Sequence, residues 1–392
     1  MFKAMPIKRL RLALASAAVA LLTAACIGFP ADPTWGTMML VGSPPRIMFA
    51  FNDRIVQVNP VDGSLVELRD SEGRVRLDEQ GNPRVWEVRS AGANGPATFY
   101  TAPIIVDEDT LLVAAFDRRM YQVDWPAARI LNPDGIALAG HIVANPLATE
   151  NMLYVPFSEG DLVALRRPGF SEVWTLDTPR GIWSEPVLVD GTLYVASLDH
   201  HLYALDAETG AERWRLDLRG ALASKPVYYE GHLYIGSFGR RFFKIAPTGQ
   251  IVAEYETRGW VWGSPALVDG VLYGADLDGY VYALRDQGTR FTPLWEPRQV
   301  ATGAIRATPV VANNTLIIGS RDRMMYWLSR ITGEELVRRQ MVGEVLGDLL
   351  LLEPSETLNI REPMVVVSTM TQEELLVAFT VETGERLWVY RR

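Results

Sequence analysis

The residues that look most like chemistry are Asp276, Leu277, Asp278 and Gly279, where two carboxylates alternate and a glycine closes the run. Alternating carboxylates in a tight turn are raw material for a calcium loop, because a hard cation collects oxygen ligands from successive positions. Asp117, Asp199 and Asp322, however, stand at the place of Asp278 in three other stretches of similar sequence. A residue that recurs in this way reads as a turn former first, its carboxylate bonding nearby backbone amides. The four histidines, His141, His200, His201 and His232, have no metal-ligating spacing. A single cysteine, Cys26, excludes a disulfide framework and any multi-cysteine zinc or iron–sulfur site. Neither a nucleophile elbow nor a phosphate loop occurs. The expectation is a chain with no catalytic residues and no metal site.

A different pattern is carried by arginine and tryptophan. The stretches RGIWSEP, RGALASKP and RGWVWGSP each place Arg-Gly shortly before a proline. They begin at Arg180, Arg219 and Arg258 and bring Trp183, Trp260 and Trp262 with them. Arginine with tryptophan is the composition of protein interaction hot spots.

The elements that position these residues form a repeat. The clearest copy is SEPVLVDGTLYVASLDHHLYALDAETGAERWRL, from Ser184 to Leu216, and related copies begin at Thr101, Asn145, Ser224, Ser264 and Ala307. A proline recurs at 103, 146, 186, 226, 265 and 309, a period of roughly 40 residues. Each copy parses into four short alternating apolar runs, strands A to D, separated by turn residues. Degenerate copies at 37–89 and 344–390 bring the count to eight, the first interrupted by a polar insertion at 69–83 that reads as a lid or a loose loop. This spacing predicts an all-β, eight-bladed β-propeller with four antiparallel strands per blade. A seven-bladed ring with one copy misread is the alternative, and strand D is weakest in the second and fifth units.

In an up-and-down blade the B–C turns and the D-to-A connections emerge on one face. The B–C turns carry Arg118, Arg119, Arg240, Arg241, Arg321 and Arg323. The connections carry Arg180, Arg219, Arg258 and Arg306 with the three tryptophans. The expectation is a cationic, aromatic partner-binding face on an acidic protein. The alternative is that these arginines pair within their own turns and the tryptophans pack between blades.

Ala204 to Trp214, read as A-x-D-x-x-T-G-x-x-x-W, resembles the tryptophan-docking motif of quinoprotein (PQQ-like) propellers. Ala378 to Trp388 repeats it with Thr380 in place of the aspartate, and Ala164 to Trp174 keeps only the spacing. The resemblance implies a blade-docking role for Trp174, Thr209, Gly210, Trp214, Trp295, Thr383, Gly384 and Trp388. Within that superfamily, eight blades at this length are most similar to the BamB family of outer-membrane-protein assembly lipoproteins. That resemblance implies a non-catalytic scaffold for an envelope or membrane protein complex, acting as a monomer without a cofactor. The other branch of the superfamily implies a PQQ-binding oxidoreductase or ligand sensor with PQQ and calcium. Those enzymes often use a vicinal cysteine pair, which one cysteine cannot supply.

Residues 1–25 have Lys3, Lys8, Arg9 and Arg11 ahead of the apolar run LALASAAVALLTAA, the layout of a secretory signal. Leu22-Thr23-Ala24-Ala25-Cys26 resembles a bacterial lipobox, which implies lipidation at Cys26 and a tether over 26–36. An ordinary signal peptide with a chance cysteine is the alternative. The domain reading is therefore signal 1–25, lipidated tether 26–36 and propeller 37–392, extracytoplasmic and membrane-anchored. The chain of 392 residues has a formal net charge of −9, which argues against a nucleic-acid partner. Its 32 Gly, 24 Pro, 13 Phe, 11 Trp and 14 Tyr agree with β structure rich in turns.

Overall fold

Eight four-stranded antiparallel units follow one another along the chain, each built from consecutive residues in the order A-B-C-D. The computed structural model describes residues 37–90 and 97–392, so the expected signal, tether and Cys26 lie outside the described residues. In the fourth blade the strands are Val187–Val189, Thr192–Ala196, His201–Asp206 and Glu212–Asp217. Strand B is buried throughout, strand C is buried except at its ends, and strand D alternates between exposed and half-buried residues. The gradient follows the ring, since inner strands are covered on both faces and outer ones on one.

The core is divided among the seams between blades. Eight apolar clusters each join two neighbouring blades, and one of them packs Ile47, Phe49 and Val58 of the first blade on Met364, Val366 and Trp388 of the eighth. That cluster closes the ring. Eight blades are present, which settles the count against seven.

The outer strand is split in the second and sixth blades, not in the second and fifth. In the sixth, Phe291–Pro293 and Arg298–Gln299 pair separately with strand C, because Pro293 and Pro297 lack the amide a continuous ladder needs. In the second, Arg129–Ile130 and Ile136–Ala137 flank Pro133 in the same way. The fifth blade keeps a regular strand D at Ile251–Glu256. The insertion in the first blade is a hydrogen-bonded ribbon, in which Leu68 N donates to Arg84 O (2.7 Å), Arg76 N to Leu68 O (2.8 Å) and Arg84 N to Arg76 O (2.8 Å). It grows from the C–D turn, so it emerges on the face away from the B–C turns.

Candidate partner-binding face

The D-to-A connections around the Arg-Gly stretches are each stapled to two B–C turns. After the third blade, Ile182 N donates to Phe157 O of that blade (3.0 Å), and Leu198 N of the fourth blade donates to Gly181 O (2.9 Å). The same pair recurs one blade later as Leu222 N to Ser197 O (3.1 Å) and Phe238 N to Ala221 O (2.9 Å). The glycine of Arg-Gly permits this approach. A Cβ at Gly181 would lie 2.2 Å from Ser158 O, and one at Gly220 would lie 2.0 Å from Gly239 N. One or two residues after each glycine, Ile182, Leu222 and Val261 plug the seam with no exposure. The preceding arginine is left on the outside, and Arg180, Arg219 and Arg258 are all exposed.

The cations divide into two groups. Arg118 lies 3.9 Å from Glu159, and Arg321 pairs with Glu344 at 2.8 Å. Arg219 and Arg241 share Glu254 at 3.5 and 3.6 Å, and Arg241 also reaches Glu256 at 3.6 Å. Arg119 donates to the carbonyl of Asp134. Among the described residues no ion pair forms at Arg180, Arg240, Arg258, Arg306 or Arg323. Pairing within turns therefore accounts for only part of the set, and four of the unpaired arginines (180, 240, 258 and 323) are exposed.

The aromatic residues sit in two settings. Trp260 is 51% exposed and stacks on Phe238 with centroids 5.3 Å apart and planes 10° from parallel. Trp183 and Trp262 instead meet at 6.1 Å across the mouth of the axial channel, where Val143, Arg306 and Leu346 complete the rim. Neither packs within a seam. Arg306 lies over the Trp262 ring at 4.2 Å, and its buried Nε has no hydrogen-bond partner. Burial first, and then repulsion from Arg321, hold its pKa below the usual guanidinium value, with Glu344 pulling the other way.

On the opposite face, tryptophans of strand D seat on the C–D turn of the next blade. Trp174, Trp214, Trp295 and Trp388 donate through Nε1 to the carbonyls of Ala207 (3.1 Å), Pro247 (2.8 Å), Arg330 (3.2 Å) and Pro60 (2.9 Å). Asp206 builds one such turn by accepting from Thr209 N (3.0 Å) and Thr209 Oγ1 (2.8 Å). Bonds from Arg213, and then from Thr209, lower the Asp206 pKa to about 2. Gly210 follows at φ +72°, where a Cβ would lie 2.5 Å from Trp174. In the eighth blade Thr380 stands in for the aspartate, its Oγ1 lying 2.7 Å from Thr383 Oγ1, and Gly384 closes that turn.

Stretches 158–303 and 277–392, together well over half of the chain, match the family described as outer membrane protein assembly factor BamB. The chain belongs to this family. Among solved structures it is similar to BamB from Moraxella catarrhalis, at 17% identity and TM-score 0.60, over 89% of this chain and 97% of that one. It is also similar to the computationally designed Ika8 protein, at 14% identity and TM-score 0.59, over 92% and 98%. At these identities the likeness shows the propeller fold alone. No curated protein matches.

The donor set does not fit a quinoprotein centre with PQQ and calcium. Among the described residues no three histidines, cysteines or carboxylates converge as metal ligands. Asp276, fully buried, spends both oxygens on the protein. Its Oδ2 accepts from Gly259 N (2.7 Å) and Tyr282 OH (2.6 Å), and its Oδ1 from Asp278 N and Tyr280 N (both 3.0 Å). Asp117, Asp199 and Asp322 bond the tyrosine four residues on, at 2.5, 2.6 and 2.8 Å. The axial channel carries two carboxylates beside its aromatic and cationic groups, and both are bonded within the protein, Glu185 to Lys225 (2.6 Å) and Asp348 to Thr308 N (2.7 Å).

Sequence reasoning missed three residues. Phe238, the stacking partner of Trp260, was hidden at a turn position that holds leucine in other copies, Leu198 and Leu277. Trp86 docks the first blade on the second through Trp125 O at 2.7 Å, but it lies beyond the insertion, where the repeat spacing is lost. Trp327 fills the seventh seam from strand C, opposite Val337, with its Nε1 unpartnered.

Proposed function

We propose that this chain is a lipid-anchored, extracytoplasmic propeller that serves as a non-catalytic, monomeric scaffold in outer-membrane-protein assembly. Family membership supports the role, and one observation carries the site. Three consecutive Arg-Gly connections set Arg180, Arg219 and Arg258 along an arc beside Arg240 and the Trp260–Phe238 stack. Arg180, Arg240 and Arg258 have no carboxylate partner among the described residues, so their charge is free to meet an acidic, partly apolar surface. A stapled ring offers that surface preformed, so little ordering entropy opposes association. The lipid at Cys26 would hold the scaffold at the membrane through acyl chains alone.

The test is photo-crosslinking in intact cells from position 240, with position 313 in an A–B turn of the opposite face as control. A discrete band from 240 alone supports the reading and identifies the partner by mass. Arg240→Glu with Trp260→Ala should remove that band. Equal crosslinking from both faces, or an unchanged band in the double variant, refutes it.

A further inference from the structure

Three seams lack a strand-D tryptophan. Trp327 fills the seventh from strand C, Phe170 packs in the second, where a Cβ at Gly169 would also meet nothing, and the fifth has Ala253 at the docking position. At Gly63, Gly210, Gly249 and Gly333 an added Cβ would meet an indole ring at 2.5, 2.5, 2.7 and 2.6 Å. At Gly288, the corresponding turn glycine of the sixth blade, it would meet nothing within 4 Å. The strand pairing explains the gap. Ala164, Ala204 and Ala378 on strand C face Trp174, Trp214 and Trp388 on strand D, whereas in the fifth blade Lys244 faces Ala253. The large side chain that should cover Gly288 is absent. A cavity of about 300 Å³ remains, with Tyr229, Tyr234, Lys244, Leu267, Asp286 and Gly288 on its walls. A cavity of roughly half that volume already admits benzene.

The polar groups keep this space open. Lys244, only 6% exposed, lies 2.7 Å from Asp286 and donates to Gly288 O at 3.1 Å. Tyr234 OH donates to the same Asp286 oxygen at 2.6 Å. Tyr154 and Tyr194 each lean on a docking tryptophan at 5.8 Å. Tyr234 occupies the same place on strand B and has Tyr229 and Phe291, each at 6.4 Å, and the Lys244 ammonium 5.9 Å from its ring centre in place of an indole. The walls are those of an indole seat, and the carboxylate and turn carbonyls can accept a ring N–H.

We propose that this seam is a docking slot for a tryptophan presented by a partner polypeptide, on the face opposite the arginines. The ring itself names the occupant, because five sister seams are closed by an indole whose N–H bonds a C–D turn carbonyl. Among the described residues the exposed tryptophans, Trp183 and Trp260, lie on the other face and cannot reach it. The slot is independent of the arginine face, so either proposal can fail alone.

The first experiment titrates the purified full chain with N-acetyl-tryptophanamide and follows the Leu267 methyl signals. A saturable shift is expected. Lys244→Ala with Ala253→Trp restores the sister pairing, fills the slot, and should weaken binding more than tenfold while raising the melting temperature. The second experiment places a photo-crosslinker at Gln287 in cells, with Thr209, beside an occupied seam, as control. A band from 287 alone supports the slot. Absence of a saturable shift, binding that survives the double variant, or equal bands from 287 and 209 would overturn it. A self-crosslink from 287 would reassign the occupant to a second copy and refute the partner.

Discussion

Replacing a docking glycine by alanine separates backbone strain from loss of the indole seat. At Gly288, φ is +88° and the new methyl meets nothing, so Gly288→Ala should cost only the left-handed backbone, about 1–2 kcal/mol. At Gly210, φ is +72° and the methyl would lie 2.5 Å from the Trp174 ring, so the indole must also leave. It then gives up its 3.1 Å bond to Ala207 O and its contact with Tyr154. A hydrogen bond is worth about 1 kcal/mol, and half-burying the ring adds roughly 1–2 more. Gly210→Ala should therefore cost about 3–5 kcal/mol. In a Trp174→Ala background it should fall back to the cost at Gly288, leaving a coupling of about 2 kcal/mol. Urea unfolding followed by tryptophan fluorescence and by circular dichroism measures this, provided the two transitions coincide. With a slope of about 3 kcal/mol/M, the coupling moves the midpoint by roughly 0.7 M. Equal shifts for the two glycine variants, or a Gly210→Ala cost that persists without Trp174, would refute the docking argument.

The other expectations are briefer. Asp276→Asn turns an amide N–H₂ toward groups that already donate, and should lower stability by about 3 kcal/mol. Asp278→Asn, at an exposed turn position, should cost less than about 1 kcal/mol, and added calcium should move neither urea midpoint. Burial, and then the bond to Asp199, raise the Tyr203 pKa above 10.0, and Tyr121 and Tyr326 are raised likewise by burial and by Asp117 and Asp322. A raised folded pKa gives stability that is full below the unfolded value and drains above it, so the ring should loosen above pH ~10. Phenolate absorbance should appear together with unfolding, and Tyr203→Phe should blunt the pH dependence. Cys26→Ser should release the protein from membranes after a wash that strips peripheral proteins, and retention would remove the lipid anchor.

The blade count was legible because the turns are written in residues with fixed backbone demands, such as the Thr-Gly pair closed by Gly210 at φ +72°. The cationic face was legible for a similar reason. Arg-Gly recurs where any Cβ would collide with a neighbouring turn, 2.2 Å from Ser158 O at Gly181 and 2.0 Å from Gly239 N at Gly220, so the glycine is compulsory and its arginine is carried outward. Pairing was not legible. Glu254, which binds both Arg219 and Arg241, lies on strand D of the fifth blade, brought near Arg219 only by the ring. Nor could spacing tell that Trp260 faces solvent while Trp262, two residues on, turns to the axial channel.

The fifth blade shows how a repeat can mislead and inform at once. The missing tryptophan made its strand D look weak, yet the strand runs unbroken through Ile251–Glu256. Ladder hydrogen bonds come from the backbone and do not depend on which side chain faces outward. Two prolines, by contrast, remove backbone donors, and it is the sixth blade that splits. Losing the indole therefore left the blade intact and opened only the seam beside it. A fold that can omit one docking tryptophan without losing a strand has room to use that seam for something else. Lys244, buried and bonded to Asp286 where three sister blades carry alanine opposite tryptophan, is the residue to question first.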